Sequence, residues 1–156
     1  MALLALTAGA ATIATSSSRS EAVTACATFL TAYVPVEDGL PAFFNAEAES
    51  TSLNANGAAI TLVGTLRAFK STLSNDHWPT RARVTIHELI RTDSVLRDDL
   101  ESLANGSNNY GWYTESQSDA GTLEADANDV EVLLGVEASS HRTVVSCYIA
   151  QLPQIP

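Results

Sequence analysis

Lysine is almost missing from this sequence: seven of its eight basic residues are arginine and only Lys70 is lysine, against 18 acidic residues and a formal charge of −10. Phosphate recognition needs clustered cations, so the charge argues against free nucleic acid or an anionic membrane as the main partner. Cysteine is equally sparse. Cys26 and Cys147 stand near opposite ends of a 156-residue chain, which is long enough to fold without covalent staples. The expectation is two reduced, buried thiols packing as small hydrophobes. Long apolar runs are lacking too. Met1 to Ile13 has no basic residue before its apolar stretch and is too short and too rich in Thr, Gly and Ala to span a bilayer, so it is expected to stay on the working protein.

The signatures of common enzymes are also absent. There is no G-x-S-x-G elbow, no phosphate-binding G-x-x-x-x-G-K-[ST] loop and no G-x-G-x-x-G dinucleotide fingerprint. His77, His87 and His141 are scattered, without a second ligand at zinc spacing. His141 lies near Cys147, but no third group stands ready to orient it as a base. Glu124, Asp126 and Asn128 are spaced by two, followed by Asp129 and Glu131. No glycine follows at the sharp-turn position and no Glu stands twelfth, so a solvated acidic loop is expected rather than a calcium site. Asp98 and Asp99 are neighbours on the polar side of a helix and read as solubility. No catalytic residue, metal or cofactor is expected.

What remains is 46% apolar residues, enough for one core, and no repeat or long linker divides the chain. Residues 1–18, all uncharged, read as an extended N-terminal arm, and 19–156 as a single domain. Ser18 and Glu21 form a capping-box pattern, and Val23, Cys26, Ala27, Leu30 and Tyr33 recur at helical spacing until Pro35, which predicts a helix over 19–33. From Gly57 onward Ile60, Leu62, Leu66 and Ala68 alternate with polar residues, predicting a strand over 57–70. A second strand is predicted over 80–91, with Ala82, Val84, Ile86 and Ile90 on one face. Asp93 or Ser94 then caps a helix with the stripe Leu96, Leu100, Leu103 and Ala104, stopped by Asn105-Gly106. Val130 to Ala138 and Thr143 to Leu152 read as a C-terminal β-hairpin. The predicted class is α+β: a mostly antiparallel sheet with two helices packed on it.

Two features suggest an interface. Arg81, Arg83, His87 and Arg91 have the odd spacing that puts them on one face of the predicted strand, forming a basic stripe in an acidic chain. The loop 106–129 carries an aromatic knot of Tyr110, Trp112 and Tyr113. Complementary charge sets register between copies, and aromatics anchor contacts. Arg81, Arg83, Arg91, Tyr110, Trp112 and Tyr113 are therefore the interface candidates.

The two strands around Asp76-His77-Trp78, the helix after the second of them and the closing hairpin resemble small tail or neck ring subunits of tailed phages, tail-terminator proteins in particular. The lysine-poor, Ala/Thr/Ser/Asn-rich composition also resembles small virion coat proteins. The resemblance implies a non-enzymatic, self-assembling subunit located in a virion, with identical subunits and other virion proteins as partners and no sequence-specific nucleic-acid or membrane contact. Two alternatives stay open: a small binding module using the loop 106–129, and an enzyme whose site is not recognisable from sequence.

Overall fold

A computed structural model of the chain describes residues 8–48, 52–105, 112–136 and Cys147, with the side chains of 8–19, 47–48, 52–55 and 112–113 excepted. It is all helical. The elements are α1 (Ala8–Ala48), α2 (Ser52–Asn75), α3 (Arg83–Ala104) and α4 (Trp112–Leu134). Consecutive helices run antiparallel: α1 meets α2 at Phe29 and Phe69 and again where Gly39 faces Leu62. Likewise α2 meets α3 through Arg67 with Glu101 and Lys70 with Ser94, and Thr92 of α3 bonds Asp126 of α4. α4 returns against α1, while the diagonal pairs do not meet. This is a four-helix bundle with short connections.

The reason lies in a spacing repeated on every helix. Buried residues fall at Cys26, Phe29, Tyr33, Val36, Leu40 and Phe43 on α1 and at Ala59, Leu62, Leu66, Phe69 and Leu73 on α2. They continue at Ala82, Ile86, Leu89, Asp93, Leu96, Leu100 and Leu103 leading into and along α3, and at Ser116, Ala120, Leu123, Ala127, Val130 and Leu134 on α4. Each series alternates steps of three and four, which keeps one seam facing the bundle axis. The α2–α3 turn is closed by Trp78, whose buried indole Nε1 donates to the Leu73 carbonyl at 2.8 Å while Arg83 Nε donates to the Trp78 carbonyl at 2.9 Å. Phe29 packs edge-on against both Phe69 and Trp78. α1 and α2 approach closely at Gly39, where a Cβ would stand 3.1 Å from Leu62 Cδ1.

These findings correct the α+β expectation. Among the described residues there is no strand: 57–70 lies within α2, 80–91 forms the α2–α3 turn and the first half of α3, and 130–134 ends α4. Of the second hairpin strand, 143–152, only Cys147 is described, and it is helical. The two expected helices are four. The alternation at 60–68 was misleading because Ile60 is 60% exposed, and Val84, placed on the inner face of the second strand, is 69% exposed. A seam that buries every third and fourth residue overrides the strand preference of β-branched side chains. The N-terminal arm expected to be extended is helical from Ala8, and α1 runs on through Pro35 and Pro41. An internal proline costs a helix about 3 kcal/mol, and both sit on the exposed side, where no packing is disturbed.

The thiols are not reduced. Cys26 of α1 and Cys147 form a disulfide with a Cα separation of 5.7 Å, both residues 1% exposed. Sequence separation hid this pairing, because closure of the bundle is what brings the segment beyond α4 back to α1.

Candidate functional site

On the outer side of the α1–α2 seam an open groove of about 650 Å³ runs between Thr24 and Pro35 of α1 and Thr65 and Thr72 of α2. Phe69, 1% exposed, forms part of its floor, and Ala27, Ala32 and Ala68 keep its walls low. The five threonines that line it, Thr24, Thr28, Thr31, Thr65 and Thr72, supply all its polar side chains, and no charged side chain takes part. Three of these hydroxyls have already used their hydrogen on their own helix: Thr24 donates to the Ser20 carbonyl at 2.9 Å, Thr65 to Thr61 at 3.2 Å and Thr72 to Ala68 at 3.3 Å. A hydroxyl engaged in this way offers a solute only its oxygen lone pairs. Pro35 adds another acceptor. It has no N–H, so the Thr31 carbonyl lacks the donor four residues on that would normally close its helical turn, and both residues line the groove.

Sequence reasoning missed this site. Its only trace is a second set of small residues offset from the core seam, Thr24, Thr28, Thr31 and Pro35 on one helix and Thr65, Ala68 and Thr72 on the other, again in steps of three and four. Read as part of a strand, the second set had no groove to line.

The charged residues form separate groups. Asp93 is fully buried on the α3 seam, and neither carboxylate oxygen has a hydrogen-bond partner among the described residues. Burial pushes its carboxyl up to about 7, against the lowering pull of Arg97 and Lys70. The sequence offers Asp93 or Ser94 as a helix cap, but both lie in the middle of α3. Across the α3–α4 seam Asp99 is raised to about 6, first by burial, then by the hydrogen bond its protonated carboxyl donates to Asp119 and by the charges of Asp119, Glu115 and Asp98. Asp98 and Asp99 are therefore not equivalent surface acids, since Asp99 sits in a carboxylate cluster. The run at 124–131 is helical rather than a loop: Asp126 accepts from Thr92 at 2.6 Å and Glu131 is 4% exposed. No group of acids, histidines or cysteines among the described residues is placed to hold a metal ion.

The interface candidates separate. Arg83, His87 and Arg91 share an exposed helical face through their spacing of four, so the stripe survives for a different geometrical reason, while Arg81 lies in the turn before α3. Tyr110 falls outside the described residues. Trp112 and Tyr113 open α4, so the aromatic loop is in part the first turn of a helix. Among the described residues no helix is long and apolar enough to cross a membrane. No protein-family model, curated protein or solved structure matches the chain.

Proposed function

We propose that the chain is a non-enzymatic binding module that takes a small, mainly apolar molecule in the α1–α2 groove and works where disulfides persist. The observation that carries this reading is the groove itself: about 650 Å³, floored by Phe69 and walled by alanines and threonine methyls without a charge. Its size lies within the range of small-molecule sites, which are mostly apolar with a few placed polar atoms. The disulfide supports the second half, because such bonds form and persist in oxidising surroundings. Other features fit a carrier better than a catalyst: the buried acid Asp93 lies on the α3 seam and does not line the groove. The ring-subunit reading drew on an order of strands, of which 57–70 and 80–91 are not strands; the lysine-poor composition and the exposed Arg83, His87 and Arg91 face are what still support it.

Filling the groove tests the proposal. Ala68 is exposed at its wall, so Ala68→Trp adds bulk there without entering the core, and surface changes of this kind alter stability by only about 0.5 kcal/mol. Nile red, a neutral apolar dye, is expected to bind the wild-type protein saturably and to lose at least about tenfold in affinity in the variant, about 1.4 kcal/mol. Equal binding by both proteins would place the dye elsewhere and refute the groove.

A further inference from the structure

Resting on the binding-module reading above, we infer that the groove selects a neutral, long-chain molecule ending in a hydroxyl, whose O–H is donated to the Thr31 carbonyl left open by Pro35. Three observations converge. First, no charged side chain lines the groove, and the chain as a whole carries −10. A ligand carboxylate would lose water without meeting a cation and would be repelled by the surrounding field, whereas a neutral head group pays neither cost. Second, acceptors are plentiful on the walls: the Thr24, Thr65 and Thr72 hydroxyls have spent their hydrogens on backbone carbonyls, and Pro35 cannot supply an N–H to Thr31. The Thr28 and Thr31 hydroxyls, which also line the groove, can donate as well as accept, so a ligand hydroxyl, which does both, matches the wall. Third, the shape is elongated. Thr24 to Pro35 on α1 spans about 16 Å at about 1.5 Å per helical residue, a length that a chain of about twelve carbons fills, and Phe69 with Ala27, Ala32 and Ala68 provides the apolar bed beneath it. One open backbone acceptor at the Pro35 end and an uncharged trough of alanine and threonine toward Thr24 describe a molecule with one donor and a tail.

The test uses the intact, oxidised protein and three probes of matched length: 1-dodecanol, the methyl ether 1-methoxyundecane and dodecanoate, each titrated by displacement of Nile red. The alcohol is expected to bind about fivefold more tightly than the ether, the worth of one neutral hydrogen bond, and more than about tenfold more tightly than the carboxylate. In Pro35→Ala the Thr31 carbonyl regains its helical donor, and the alcohol-to-ether ratio is expected to fall to about one. This variant removes an internal proline from a helix, so loss of folding is not a concern. Equal affinity for alcohol and ether in the wild-type protein would overturn the donor inference and leave the groove standing. A ratio that persists in Pro35→Ala would overturn the role of the Thr31 carbonyl. Preference for the carboxylate would overturn the argument from charge, and failure of all three probes to displace the dye would overturn the groove reading together with this one.

Discussion

Replacing Cys26 and Cys147 together by alanine is expected to lower the unfolding free energy by about 4 kcal/mol, the order predicted for removing a cross-link that closes a loop of more than about 100 residues. The bond joins α1 to a residue beyond the end of α4, with a sequence separation of 121, so it restricts nearly the whole unfolded chain. It also ties down the segment after α4 at a point where both half-cystines are buried in the core. Bundles of this size often hold only about 5 to 15 kcal/mol in all, so the double variant should unfold at much lower denaturant. Urea titrations of the oxidised protein and the double variant measure the difference directly. A change under about 1 kcal/mol, below the typical value of about 2 to 4 kcal/mol, would contradict the expectation that the bond restricts the unfolded chain.

Asp93→Asn is expected to stabilise the protein at pH 8 and to leave it nearly unchanged at pH 4. The wild-type carboxyl titrates at about 7 in the fold and at about 3.9 when the chain is unfolded. Between these values the folded state holds a proton that the unfolded state has released. The contribution of this site is therefore fully present below about pH 4 and is lost as pH rises through about 7, a total of up to about 4 kcal/mol at about 1.4 kcal/mol per pKa unit. The cause is burial on the α3 seam, which Arg97 of the same helix and Lys70 of α2 only partly offset; on α4, Asp126 is engaged by Thr92, one residue before Asp93. Asp99, raised to about 6 by burial and by its bond with Asp119, pulls stability in the same direction and stays in place in the variant. Chemical unfolding of both proteins at pH 4, 6 and 8 should show wild-type stability falling more steeply with pH than that of Asp93→Asn. Parallel profiles would show that the Asp93 carboxyl is hydrated or paired in the fold.

Asp93 also shows what could and could not be read from the sequence. The stripe Leu96, Leu100 and Leu103 was legible as the buried face of a helix, and all three are buried on α3. The same register continues backward through Asp93, Leu89, Ile86 and Ala82, but an aspartate at a core position breaks the apolar pattern and resembles a cap, so the helix was started ten residues late. The residues before it, with Val84 and Arg83 between Ala82 and Ile86, then satisfied a period of two. Over 57–70 the confusion was of the same kind: Leu62 and Leu66 fit both periods, and exposed Ile60 tipped the choice toward a strand. In α1 the prolines hid the continuation, because a proline on a solvent-facing position reads as a stop although the helix tolerates it there. The groove had no sequence signal of its own, since threonines and alanines become a site only when two helices bring them together. Nor did the cysteines announce their bond, because pairing across 121 residues depends on topology that the strand reading had removed.

Whether a small neutral apolar molecule occupies the α1–α2 groove is read by seeing where such a molecule sits. Oxidised protein labelled with nitrogen-15 can be titrated with 1-octanol while backbone amide shifts are followed. Saturable shifts are expected in residues 24–34 of α1 and 65–72 of α2, the walls of the groove, with α3 and α4 little affected. Shifts centred on the α3–α4 seam, or changes that grow linearly without saturation, would contradict binding in the groove.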